Sequence, residues 1–194
     1  MTFIILIVTV LISWYAFDKS DIVDKYLYRP YDIKNNNEYW RFVTSAFLHS
    51  DWMHLIFNMI SLFFFAPLVE SSIGAFGLLT LYITGAVASL VPNYFKNKRY
   101  SGYQALGASG AVSAVVFAAI MLAPYNQLMF ILLPVPMSAW VFGLLYLGVS
   151  WYMYKRDTDN VGHDVHIYGS LYGLLFIILY DFNYLTNFIT NLIH

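Results

Sequence analysis

Apolar residues in this chain gather into long runs separated by short polar stretches, and each run is matched here to the roughly 20 residues that a bilayer core requires. Six runs result: Thr2 to Phe17, Phe47 to Val69, Ala75 to Val91, Ser109 to Ala123, Ala139 to Tyr154 and Val165 to Tyr184. They predict an all-α, polytopic membrane protein of six transmembrane helices, with residues 1–194 forming a single domain. The fourth run is short for a bilayer and follows a polar loop, Pro92 to Leu106, that ends in Gly107. A helix opening at Ser109 therefore starts below the membrane surface, where irregular backbone is tolerated only when buried in protein or lining a wet cavity.

Two connections are longer than a turn. Asp18 to Ala46 mixes charges with Tyr26, Tyr28, Tyr31, Tyr39 and Trp40 and reads as a partly embedded loop at headgroup level. Pro124 to Ser138 is mostly apolar but holds Pro124, Pro134 and Pro136, so it reads as an interfacial connector and not a seventh span.

Composition strengthens the membrane reading: 60% of residues are hydrophobic and 11% charged, with a mean hydropathy of +0.61. The absence of cysteine excludes disulfides and thiolate zinc sites. The first seventeen residues have no basic leader and no small-residue cleavage site before Asp18, which predicts a retained first helix. No nucleic-acid partner is predicted.

The candidate chemistry lies in a few polar residues at membrane depth, where ionisable side chains are costly and mark function by default. His54 and Asn58 are four apart and share one helix face, whereas His49 lies off that face or at the helix entry. As an isolated pair they also fit interhelical hydrogen-bonding. Gly107-Ala108-Ser109-Gly110 heads the fourth helix and His166 opens the sixth, followed by Gly169 and Gly173. Small residues on both helices, including Ala114 and Ala118, let their backbones approach, and in an alternating bundle the two helices run the same way. Ser109 and His166 then sit at one end as nucleophile and general base. His54 and Asn58, together with the Ser109 backbone N–H, would donate to an oxyanion. No carboxylate completes a triad, because Asp164 faces another way.

These residues resemble the rhomboid family of intramembrane serine proteases, in its minimal bacterial six-helix form. Trp40-Arg41, His49 and the H-x4-H-x3-N pattern of His54 and Asn58 look like the family's first loop and second helix. Gly107-Ala108-Ser109-Gly110 resembles its G-x-S-G motif, and His166, Gly169 and Gly173 its H-x2-G-x3-G helix. The resemblance implies a serine endopeptidase that cleaves transmembrane client proteins through a Ser109–His166 dyad and an acyl-enzyme. His54 and Asn58 would bind the oxyanion, and Gly107, Gly110, Gly169 and Gly173 would support the site. His49 would be structural or organise water, Trp40 and Arg41 would anchor the first loop, and Glu70 would tie helices together. No cofactor or metal is implied, and the partners are transmembrane substrates and the lipid bilayer. The alternative is a catalytically inactive rhomboid-like protein that binds such clients. A metalloenzyme using His49, His54, His163 and His166 is the weaker rival, since no H-E-x-x-H occurs and the carboxylates lie in loops; His163 reads as a solvated loop residue.

Two features depart from the simple picture. Several rhomboids carry an aromatic residue four positions after the serine, stacked on the catalytic histidine; here that position is Ser113, with Tyr168 and Tyr172 elsewhere in the neighbourhood. Ser113 could instead bond the carbonyl one turn back. All ten Lys and Arg residues also fall at the end bearing Ser109, which by the positive-inside rule faces the cytoplasm. The resemblance implies the reverse, an active site opening to the extracytoplasmic side of a bacterial inner (plasma) membrane, and it is the reading followed. A client would enter past the fifth helix, near Phe142, Trp151 and Tyr152.

Overall fold

The first apolar run forms α1 (Thr2–Ala16). A computed structural model describes residues 1–128, 135–156 and 162–193. After α1 the chain makes α2 (Ser20–Tyr26), α3 (Pro30–Asn36), α4 (Arg41–Thr44) and a 3-10 turn at Ser45–Phe47. The stretch read as a partly embedded loop is thus largely helical. Pro30 supplies the first position of α3, where its missing N–H costs nothing, and Asn37 ends it in the left-handed region at φ 60°.

The second and third runs are one element, α5 (Trp52–Asn97), bent at Gly74 and without an intervening loop. Gly74 adopts φ 77° and ψ 167°, and an added Cβ would meet nothing within 4 Å, so the conformation, not the space, is what calls for glycine. The helix also passes Val91, its predicted end, with Pro92 inside it. Proline costs a helix interior about 3 kcal/mol; packing of Leu90 against Tyr28, Ile33 and Val165 holds the added turns in place.

The short fourth run becomes α6 (Ser109–Leu122), beginning at the predicted serine. Every residue from Gly110 to Met121 is buried, so α6 is the central helix against which α5 and α8 (His163–Tyr180) pack. Between α6 and α7 (Ala139–Arg156) the connector forms a small antiparallel pair, β1 (Gln127–Leu128) and β2 (Met137–Ser138), with Gln127 opposite Ser138. Pro134 and its neighbours at 129–134 lie outside the described residues. The sixth run stops short of Tyr184: α8 ends at Tyr180 and the chain turns by 109° into α9 (Asn183–Ile193).

Among the described residues, α5 alone is long and apolar enough to cross a membrane, and the bent pair α8 and α9 would add a second span. α1 and α6 are shorter apolar helices.

Candidate active site

The chain enters α6 through Gly107, whose φ of +129° is closed to most side chains. A Cβ there would also lie 2.7 Å from Nε2 of His54, so the glycine lets the His54 ring close over the loop. Gly107 N–H donates to the Ser45 carbonyl at 3.0 Å. Ala108 N–H points to His49 Nε2 at 3.4 Å. The tautomer of His49 follows from its other side. The single Ser13 hydroxyl proton goes to the Phe47 carbonyl at 2.8 Å, so the 2.8 Å contact with His49 uses Nδ1–H as donor. Nε2 is then the acceptor that Ala108 requires. Buried His49 thereby links α1 to the residue immediately before Ser109.

His54 sits in the first turn of α5, which Asp51 caps by accepting the His54 backbone N–H at 2.9 Å. Its ring meets the edge of His49 at 4.9 Å, and Nδ1 lies 3.2 Å from Ser50 Oγ. Ser50 has one proton to share between Asp51, at 2.7 Å, and His54. While the hydroxyl donates to Asp51, His54 Nδ1–H donates to Ser50 and Nε2 is bare; rotation of the hydroxyl towards His54 puts the proton on Nε2, facing Gly107. One turn on, buried Asn58 donates to the His54 carbonyl at 3.0 Å.

His166 lies in the first turn of α8, and the glycines after it explain how α8 reaches α6. A Cβ on Gly169 would lie 3.2 Å from Gly110 Cα, and one on Gly173 2.9 Å from Ala114 Cα. Gly110 is itself wedged between Ser89 of α5 and Val165 of α8. The predicted small-residue contact between the two helices is present, with Gly169 set against Gly110 and Gly173 against Ala114. Asp164 turns away from His166, as expected: it accepts from Asn93 of α5 at 3.0 Å and from the Val165 N–H at 2.9 Å. Asn93 also donates to Tyr103 at 2.8 Å. Burial, with Asp164 as the next cause, pushes the Tyr103 phenol up to about 12.

Two sequence expectations need correction. His163 is not a loop residue but the first residue of α8, its ring edge-on to His166 at 5.9 Å, because Gly162 occupies the cap position. Ser113 Oγ pairs with the Tyr146 hydroxyl of α7 at 2.8 Å, and the Tyr146 ring stacks on His166 at 6.2 Å with planes 25° apart. Neither Tyr168 nor Tyr172 holds that position. Sequence reasoning missed Tyr146 because a lone tyrosine in an apolar run carries no local signal of its partner two elements away.

A cavity of about 1910 Å³ is lined by Ser109, His166, His54, Asn58, Ser113 and Tyr146, and extends along α5 and α7 past Phe65 and Phe142. Of the aromatics predicted on the client's route, Phe142 lines this cavity, whereas Trp151 and Tyr152 lie on the exposed surface of α7. With the geometry in hand, comparison with known proteins is decisive: the rhomboid domain model matches residues 36–181.

The chain belongs to the rhomboid family.

Among rhomboid relatives, it is 27% identical over 177 residues to RHOMBOID-like protein 12, mitochondrial, of Arabidopsis thaliana, covering 83% of this chain and 52% of the relative. It is 33% identical over 98 residues to rhomboid protease GlpG of Haemophilus influenzae, covering 50% and 48%. To rhomboid protease GluP of Bacillus subtilis it is 32% identical over 130 residues, covering 65% and 24%. The chain spans about half, or less, of the length of these curated relatives.

In this rhomboid the first loop is organised around Arg41, which is 5% exposed. Its guanidinium donates to the Asp24 and Leu27 carbonyls, each at 2.8 Å, and to Glu38 at 2.5 Å. Neighbouring Arg29 pairs with Asp24 and Asp32, and its hydrogen bond holds the Asp24 carboxyl below the usual carboxylate range. Trp40, expected to pack beside Arg41, is instead about half exposed. At the opposite end Glu70 accepts from Thr2 N–H at 2.9 Å, Thr2 Oγ1 at 2.7 Å and the Met1 ammonium, joining α5 to α1.

Proposed function

We propose that this protein is an intramembrane serine endopeptidase that crosses the membrane six times and cleaves transmembrane client proteins. What carries the reading is the contact of Gly169 with Gly110, which brings the first turns of α8 and α6 together beside a cavity that Ser109 and His166 both line. The six crossings are α1, the two arms of α5, α6, α7 and α8, with residues 1–194 acting as one unit.

In this mechanism Ser109 attacks the scissile carbonyl while His166 takes its proton, and His166 later returns that proton to the leaving amine. Water then hydrolyses the acyl-enzyme. The oxyanion receives the Ser109 N–H, which as the first residue of α6 has no intrahelical acceptor and lies at the positive end of the helix dipole. His54 Nε2–H and the second amide proton of Asn58 complete the set. His49 contributes by fixing Ala108, and Gly107, Gly110, Gly169 and Gly173 by permitting close approach.

The protein is assigned to a bacterial inner (plasma) membrane, with the Ser109 end facing the extracytoplasmic side. Reporter fusions to the Pro92 to Leu106 loop and to the C-terminus test that orientation; a cytoplasmic signal from the loop would reverse it.

A fluorophosphonate probe should label the purified wild-type protein and fail to label Ser109→Ala, and the same substitution should abolish cleavage of a transmembrane substrate in liposomes. Binding of clients without labelling or cleavage would support the inactive rhomboid-like alternative instead.

A further inference from the structure

We infer that Tyr146 is the positioning residue for His166, supplying from α7 the ring against which the imidazole is held, with Ser113 fixing the phenol. The inference rests on the reading of Ser109 and His166 as the catalytic pair. The ring that packs on an imidazole helps to set its plane. Asp164 is committed to Asn93 and to the Val165 N–H, so it does not serve that purpose. Tyr146 packs on the imidazole. Its ring is nearly parallel to that of His166, at 6.2 Å and 25°, within the range of productive aromatic offsets.

Tyr146 is itself constrained from three directions. Its hydroxyl meets Ser113 Oγ at 2.8 Å, one turn below Ser109 on α6. Its ring packs on Phe117 of α6 at 5.6 Å and on Phe142 of α7 at 5.9 Å. Phe142 in turn stacks on Phe65 of α5 at 6.4 Å, planes 17° apart, in the wall of the cavity. A row of rings thus runs from α5 through α7 to His166. The small side chain at position 113 is what makes room: the serine accepts the tip of a tyrosine that arrives from another helix. The stacked face also favours the imidazolium formed when Ser109 loses its proton.

The test uses the full chain in detergent or bicelles, with a transmembrane substrate and a fluorophosphonate probe. Tyr146→Phe keeps the ring and should hold kcat within about threefold of wild type. Tyr146→Leu removes it and should lower kcat by about 10- to 100-fold, the scale of a misplaced catalytic group, with KM within twofold and helical content unchanged. Should Tyr146→Leu melt early, Tyr146→Met fills similar volume without a ring and takes its place. Ser113→Ala should lower kcat several-fold alone and add nothing to Tyr146→Leu, the non-additivity of residues acting through one contact. Equal activity of the Phe and Leu variants, a loss confined to KM, or full additivity would overturn the inference while leaving Ser109 and His166 in place. Failure of wild type to label, or undiminished labelling of Ser109→Ala, would instead overturn the catalytic pair itself.

Discussion

Replacing Gly169 with alanine puts one methyl group into the contact on which the proposed catalytic geometry depends. Its Cβ would run into the Gly110 carbonyl oxygen and lie 3.1 Å from the carbonyl carbon and 3.2 Å from Gly110 Cα. All three are backbone atoms, which cannot rotate aside as the tip of a long side chain can. Carbon atoms rest at about 3.5 to 4.0 Å, so α6 and α8 must part by roughly 0.5 to 1 Å. Overpacking of this kind costs about 1 to 3 kcal/mol of stability. The effect on rate is larger, because His166 is only one turn from the insertion, and a displacement near 1 Å costs about 100-fold in rate. Labelling by a fluorophosphonate should therefore slow by one to two orders of magnitude in a protein that still folds, an estimate that follows from the same geometry. Gly148→Ala on α7 is the control: a Cβ there meets nothing within 4 Å, and alanine gains up to about 1 kcal/mol of helix propensity. Wild-type labelling by Gly169→Ala, or equal damage from both substitutions, would refute the argument that this contact sets the dyad.

Three further outcomes follow from other parts of the molecule. His49→Ala removes the acceptor of the Ala108 N–H and should slow labelling by at least about tenfold, with Ser13→Ala weaker; equal and negligible effects would show that the tether is idle. Arg41→Ala strands the buried Leu27 carbonyl, at about 1 to 3 kcal/mol for a buried unsatisfied group, together with the more accessible Asp24 carbonyl, and should open the first loop to limited proteolysis while the helical content persists. Asp24 has a depressed folded-state pKa because Arg29 bonds its carboxylate, so its contribution is present above the unfolded value of 3.8 and lost as pH falls further. Protease resistance of the loop should accordingly hold to about pH 5 and decline below about pH 4, and Asp24→Asn should flatten that decline.

The parts of the fold that were legible in the sequence are those with a local cause. Ser109 opens α6 as predicted, because Gly107 and the polar loop before it mark a helix start. The pairing of Gly169 with Gly110 was visible only in the structure, whereas the close approach of α6 and α8 was legible because small residues recur at helical spacing on both partners. Helix ends were less so. Pro92 signals a stop that tertiary packing of Leu90 overrides, and the 109° turn after Tyr180 falls inside a run that stays apolar to Tyr184. The first loop looked irregular because Arg41 stabilises it with backbone carbonyls that are 17 and 14 residues away in sequence. Tyr146 was invisible for the same reason: its identity as a partner exists only once α7 is set beside α6 and α8.

His49 and His54 flank the entry to α6, and His49 shows how a helix start can be satisfied without water. An unpaired backbone N–H in that environment costs several kcal/mol. Gly107 N–H has the Ser45 carbonyl and Ala108 N–H has His49, so the loop is saturated up to the last residue before Ser109. Saturation stops there. From Ser109 onward the first-turn donors of α6 have no helical acceptor, and the cavity lies over Ser109, Gly110 and Ala111. Ser13 and Ala108 together fix His49 with its proton on Nδ1 and Nε2 bare, and that acceptor is what completes the loop before Ser109. The same residue type is thus held differently five positions apart: His49 accepts from Ala108 to finish the loop, and the tautomer of His54 is set by the Ser50 hydroxyl, which Asp51 shares.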